Sequence, residues 1–179
     1  MAKALNMDSK EMMRELFSNG LQGTRINYYP PCSKAQHVLG FSPHSDADAL
    51  TIVLQINEIE GLQIRKDGKW ISVKPMPHAF VVNVGDMMEI VSNGVYRSIE
   101  HRAVVNSTKE RLSIATFYNA NVDAELGPAR SLIDPPHKPA LFRRVTVEKY
   151  LEDFFGRKLD GKSYLDFMRI GNAEGNNSS

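Results

Sequence analysis

His44 and Asp46 place two metal-binding side chains two positions apart, within Gly40-Phe41-Ser42-Pro43-His44-Ser45-Asp46-Ala47-Asp48. In an extended segment alternate side chains share a face, so the imidazole and the carboxylate can meet one ion. A second imidazole comes at His101, in Ser98-Ile99-Glu100-His101-Arg102. Two neutral imidazoles and one carboxylate on one face form the facial triad that holds ferrous iron and leaves positions open for a co-substrate and O₂. Zinc accepts the same donors but favours a tetrahedral site. Ten residues after His101, Arg111 and Ser113 alternate onto one face. A guanidinium fork beside a hydroxyl suits a carboxylate, and a dicarboxylate chelating iron at one end needs such a clamp at the other. A lone His-x-Asp is a weak signal. The spaced set Tyr29, His44, Asp46, His101, Arg111 and Ser113, in a chain of short strands, is far stronger.

The elements that must position these residues read as β-strands. Arg25–Tyr29 is the first, with Asn27 and Tyr29 on one face and Tyr28 on the other. Val38–Ser45, Leu50–Gln55, Leu62–Arg65, Trp70–Lys74, Ala79–Val84, Tyr96–Val105 and Arg111–Asn119 follow. Glu60-Gly61, Lys66-Asp67-Gly68-Lys69, Pro75–Pro77, Gly85-Asp86 and Asn93-Gly94 separate them, the second being a hairpin signal. Short strands at this spacing predict a mainly β sandwich or barrel, not a βαβ sheet. A leading helix is expected over Met7–Gln22, opened by Asp8 and Glu11 and stopped at Asn19-Gly20. After Ala120 prolines punctuate a surface segment. Thr146 then caps a helix over Val147–Phe155, with Tyr150, Leu151, Phe154 and Phe155 as its apolar face, and Gly161–Ile170 is a further helical stretch. The expected organisation is a leading helix over 1–22, a β core over 23–120, a loop and helices over 121–171, and a disordered tail over 172–179.

Composition narrows the function classes. With 42% hydrophobic residues in 179, the chain can bury a core as one domain. Lys and Arg number 22 against 21 Asp and Glu, so no basic stripe points to nucleic acid. No apolar run has membrane-spanning length, Met1–Lys10 lacks a signal-peptide core, and the expected location is cytoplasmic. The single cysteine, Cys32, excludes an internal disulfide and reads as structural. Gly156–Ser163 spells G-x-x-x-x-G-K-S, but a helical run precedes it where a phosphate loop needs a buried strand. His37, His78 and His137 lie among prolines and loop residues and are expected in solvent.

The chain resembles the C-terminal half of plant 2-oxoglutarate- and iron-dependent dioxygenases of the isopenicillin-N-synthase-like group. The matching pieces are Asn27-Tyr28-Tyr29-Pro30-Pro31-Cys32, Pro43-His44-Ser45-Asp46, Glu60-Gly61-Leu62-Gln63, Asn83-Val84-Gly85-Asp86, Ser92-Asn93-Gly94, Ser98–Arg102 and Glu110-Arg111-Leu112-Ser113. Arg157–Leu165 is similar to the senescence-related-protein-like and alkaloid O-demethylase subgroup. The resemblance implies a double-stranded β-helix, or jelly roll, with Gly85-Asp86 turning a barrel corner. It implies Fe(II) on His44, Asp46 and His101. The distal carboxylate of 2-oxoglutarate would lie on Arg111 and Ser113, with Tyr29 and Asn27 assisting, and the substrate pocket would reach Phe117 and Asn119. It implies hydroxylation, desaturation or O-demethylation of a small plant-type specialised metabolite, with O₂ consumed, succinate and CO₂ as co-products, and ascorbate supportive. It also implies about as much chain again ahead of the leading helix. Two alternatives follow: a truncated module that binds metal or regulates without turnover, associating through exposed surfaces, and an iron enzyme that does not use 2-oxoglutarate.

Overall fold

Two four-stranded antiparallel sheets form a jelly roll in the computed structural model, which describes residues 1–7 and 15–171. The strands are β1 (Gln22–Tyr29), β2 (Leu39–His44), β3 (Leu50–Gln55), β4 (Leu62–Lys66), β5 (Lys69–Ser72), β6 (Phe80–Val84), β7 (His101–Val104) and β8 (Arg111–Tyr118). One sheet has the order β1-β8-β3-β6 and the other β2-β7-β4-β5. The short strands β9 (Glu125–Leu126) and β10 (Val145–Thr146) pair beside them. The helices are α1 (Asp86–Val91), α2 (Val147–Phe155) and α3 (Ser163–Met168).

Local chemistry accounts for much of this. Asp67 and Gly68 both take positive φ (49° and 76°) between the paired Lys66 and Lys69, the turn that matches strand twist in a two-residue hairpin. Thr146 caps α2 by accepting a hydrogen bond from the Lys149 amide at 3.2 Å. Other expectations need correcting. Residues 8–14 of the leading helix, including the capping box, lie outside the described residues, as does the tail 172–179; Gln22 belongs to β1, three residues ahead of the expected strand start. The strand expected over Tyr96–Val105 is confined to His101–Val104, because the Ser98 amide donates to the Glu89 carboxylate instead of to a neighbouring strand. Gly85-Asp86 opens the six-residue helix α1. The last helical stretch is Ser163–Met168, and Phe155 leaves the apolar face of α2 to stand 75% exposed. The phosphate-loop look-alike directly follows α2, and its Lys162 is bonded to Glu89.

Alternation along the strands produces an unusual division of surfaces. On β8, Arg111, Ser113 and Ala115 are buried inside the barrel while Leu112, Ile114 and Thr116 face outward. Thr51 on β3 and Asn83 on β6 are likewise buried, whereas Phe80 and Val82 are exposed, as are Ile26 and Tyr28 on β1. The barrel interior therefore sets polar side chains among apolar ones such as Val53, Leu62 and Ala115. The apolar core lies beside it, where Met87, Ile90 and Val91 of α1 pack with Leu126, Phe142, Val147, Tyr150, Leu165 and Met168. No helix among the described residues is long and apolar enough to cross a membrane.

Candidate active site

His44 ends β2 and His101 begins β7, directly opposite one another in the antiparallel register. Asp46 follows two residues beyond His44. His44 Nε2 lies 3.5 Å and His101 Nε2 3.6 Å from the same oxygen, Asp46 Oδ1. These contacts are too long for good hydrogen bonds, but convergence of three donors within 4.8 Å of one another is what a shared ion requires. The tautomers agree. His44 Nδ1 is 2.7 Å from the Ser42 carbonyl and His101 Nδ1 3.2 Å from that of Ile99. With Nδ1–H donating to a carbonyl, each neutral imidazole leaves its Nε2 lone pair for an ion beside the shared oxygen, and without an ion it is the protonated imidazole that stabilises the Asp46 charge. Burial holds the His101 pKa below its usual range, although Asp46 opposes the shift.

Asp46 is ionised. Burial would raise its pKa, but His44, His101 and Thr51 together hold it below the ordinary value. Thr51 Oγ1 sits 2.6 Å from Asp46 Oδ2 and 2.9 Å from Asp48 Oδ2. The Thr51 hydroxyl donates toward both carboxylates, with the shorter contact to Asp46. Burial, and then the Asp46 charge, push the Asp48 pKa up to about 8, with Thr51 opposing the shift.

The clamp is built across β1 and β8, where Tyr29 pairs with Arg111 and Asn27 with Ser113. Arg111 is 3% exposed and has no carboxylate partner among the described residues. Its guanidinium reaches Gln55 Oε1 at 3.0 Å and Ser113 Oγ at 3.4 Å and lies over the Tyr29 ring, while Nε has no partner. Burial lowers its pKa, with Tyr29 opposing. Two glycines leave room for the pair: a Cβ on Gly61 would stand 2.5 Å from Arg111 Cδ, and one on Gly40 2.6 Å from the Tyr29 ring. A buried guanidinium without a counter-ion is costly unless an anion arrives.

A cavity of about 70 Å³ brings the two halves together, lined by His44, Asp46 and His101 as well as Arg111, Ser113, Tyr29, Asn27 and Phe117. Phe117 and Asn119 also line an adjoining cavity of about 590 Å³ that opens on His44 and Asp46. Sequence reasoning missed Thr51, Gln55 and Asn83, whose buried Nδ2 has no partner, because single polar residues within apolar strands carry no spacing signal. It also missed the contribution of Arg25, Phe154 and Arg157 to the larger cavity. His37, His78 and His137 are exposed and stand apart from the site.

Residues 21–120 match the model of the 2OG-Fe(II) oxygenase superfamily. The chain belongs to that family. The family's cofactors, ferrous iron and 2-oxoglutarate, fit the donor set and the unpaired Arg111 described above. The chain is 58% identical over 168 residues to codeine O-demethylase of Papaver somniferum, covering 94% of this chain and 46% of that protein. It is 54% identical over 172 residues to oxoglutarate-dependent flavonoid 7-O-demethylase 1 of Ocimum basilicum, covering 96% and 46%. Among solved structures, JOX2 in complex with 2OG, Fe and JA is similar with a TM-score of 0.88 and 40% identity, over 94% of this chain and 50% of that one. The chain thus spans about half the length of the curated relatives it matches.

Proposed function

We propose that this chain carries the iron and 2-oxoglutarate centre of an oxygenase that O-demethylates a small aromatic metabolite of the plant specialised type. The observation that carries the reading is Arg111, buried without a carboxylate partner, on one cavity with His44, Asp46 and His101. His44, Asp46 and His101 would hold Fe(II), which supplies the oxidation of a substrate C–H bond. Arg111 and Ser113 would take the far carboxylate of 2-oxoglutarate, with Tyr29 and Asn27 lining its path. The orientation set by β1 and β8 keeps that carboxylate away from the metal face. Oxidation of an O-methyl group gives an unstable hemiacetal, so the conversion is aryl methyl ether, 2-oxoglutarate and O₂ to phenol, formaldehyde, succinate and CO₂. Similarity to codeine and flavonoid O-demethylases favours demethylation over the hydroxylation and desaturation that the same centre supports.

The test is an anaerobic titration with Fe(II) and then 2-oxoglutarate, followed by visible absorbance, with His101→Ala and Arg111→Ala as controls. A charge-transfer band that needs both ligands and is lost in both variants is expected. A folded protein that shows no band overturns the oxygenase reading and leaves a metal-binding module. Formaldehyde release from an aryl methyl ether in air, in step with succinate, then tests demethylation.

A further inference from the structure

The 590 Å³ cavity has a charge that the metal centre does not explain. It runs from His44 and Asp46 between Phe41, Phe117 and Phe154 to a mouth at the exposed Phe155 and Leu159. Two guanidinium groups stand on this apolar path. Arg25 of β1 lies over the Phe41 ring at 4.8 Å, and Arg157, just beyond α2, over Phe167 at 4.4 Å and Tyr164 at 5.2 Å. The aromatic contacts hold both cations at the cavity wall. Neither has a carboxylate within ion-pair distance among the described residues. The acids in the lining do not offset them. Asp46 points to the metal site, and Asp48 is 3% exposed with Oδ1 turned to Gly85, where a Cβ would meet it at 2.3 Å. A ferrous ion, Asp46, a 2-oxoglutarate dianion and Arg111 balance to zero, so Arg25 and Arg157 are left as the net charge seen by a third molecule.

We infer that the substrate cavity selects aromatic methyl ethers that carry an anionic or electron-rich oxygen substituent, and discriminates against those that carry a protonated amine, with Arg25 and Arg157 as the selecting residues. This rests on the demethylase reading and narrows it to the charge carried by the substituent that faces Arg25 and Arg157. Both arginines are exposed to solvent as well as to the cavity, so screening limits each to a modest factor, about fivefold at most.

The experiment compares three probes of one shape: methoxyphenylpropanoate, the matching propanamide and the matching propylamine. Their affinities for anaerobic protein loaded with Fe(II) and 2-oxoglutarate are measured by titration calorimetry, so no turnover enters the readout. The propanoate is expected to bind tightest and the amine weakest, about tenfold apart. The double variant Arg25→Gln/Arg157→Gln is expected to bring the three within about twofold. Equal affinities in the unaltered protein, including equal absence of binding, overturn the inference, as does an order that survives the double variant. The oxygenase reading stands or falls separately on the absorbance titration, which contains none of these probes.

Discussion

Arg111 is useful only if its fork is both free and aimed. Gln55 and Ser113 touch its two terminal nitrogens from one side, and Tyr29 covers its face. Gly61 provides the remaining space, since any side chain there meets Arg111 Cδ at 2.5 Å and the Val104 carbonyl at 2.9 Å. Two substitutions separate charge from aim. Arg111→Lys keeps the charge and loses the bidentate geometry. Gly61→Val keeps the guanidinium and displaces it. Each should weaken 2-oxoglutarate about 10- to 100-fold, the worth of one charge-assisted hydrogen bond, with Fe(II) affinity held within a factor of about two. Separate titrations of metal and of 2-oxoglutarate check this. Parallel loss of both ligands would mean that the clamp and the metal site are one cooperative unit.

At the scale of elements, α1 ties the metal-bearing segments together. Its first residue, Asp86, accepts Ser45 Oγ at 2.8 Å and Ser98 Oγ at 2.5 Å, and its amide donates to the Asp46 carbonyl at 2.8 Å. Ser45 lies between two of the ligands, and Ser98 leads into the third. Asp86→Ala should therefore lower Fe(II) affinity about 10- to 100-fold without removing a ligand, and Asp86→Asn should restore part of it. Chelator competition on variants with native circular dichroism measures this, and unchanged affinity in the alanine variant would remove Asp86 from the positioning of the site. The same helix marks where sequence reading ran out. Arg111 and Ser113 were legible because strand alternation puts both on the inner face of β8, and His44, Asp46 and His101 because their residue types and spacing suit one metal ion, although Asp46 lies just past the end of β2. Strands β3 and β8 were legible from β-rich composition bounded by turn residues. Asp86–Val91 was not, because six wholly buried residues, two of them acidic, have neither helical periodicity nor strand alternation. Its acids are buried for the sake of partners 9 to 80 residues away, which local pattern cannot register.

Across the whole molecule, the most distant of those partners fasten the C-terminal segment to the barrel. Glu89 of α1 is wholly buried, and it receives Lys162 Nζ at 2.8 Å, Arg169 at 2.7 Å and the Ser98 amide at 2.7 Å. Nearby, Gly161 exchanges backbone hydrogen bonds with Pro43 and Ser45, on either side of His44. The segment that supplies the Lys162 and Arg169 cations thus also braces the metal loop and carries Arg157 at the wall of the larger cavity. Burial by itself would raise the Glu89 pKa, but Lys162, together with Ser98, holds it below 4.5. A carboxyl with a depressed folded-state pKa contributes stability above its unfolded value, and that contribution is lost as pH falls through the folded value. Glu89→Gln should cost about 3 kcal/mol near neutral pH, the low end for breaking a buried pair because Lys162 and Arg169 keep some solvent. In a chain of this size that lowers the thermal midpoint by about 6 to 12 °C. The gap between variant and unaltered protein should then close as the pH falls through the depressed folded-state value, below the ordinary glutamate range, where the native carboxylate itself takes up a proton and loses its charge. Thermal scans of the metal-free protein across that range decide the matter. A gap that stays constant with pH would mean that Glu89 acts through packing and hydrogen bonding alone, and that its charge does not fasten the C-terminal segment.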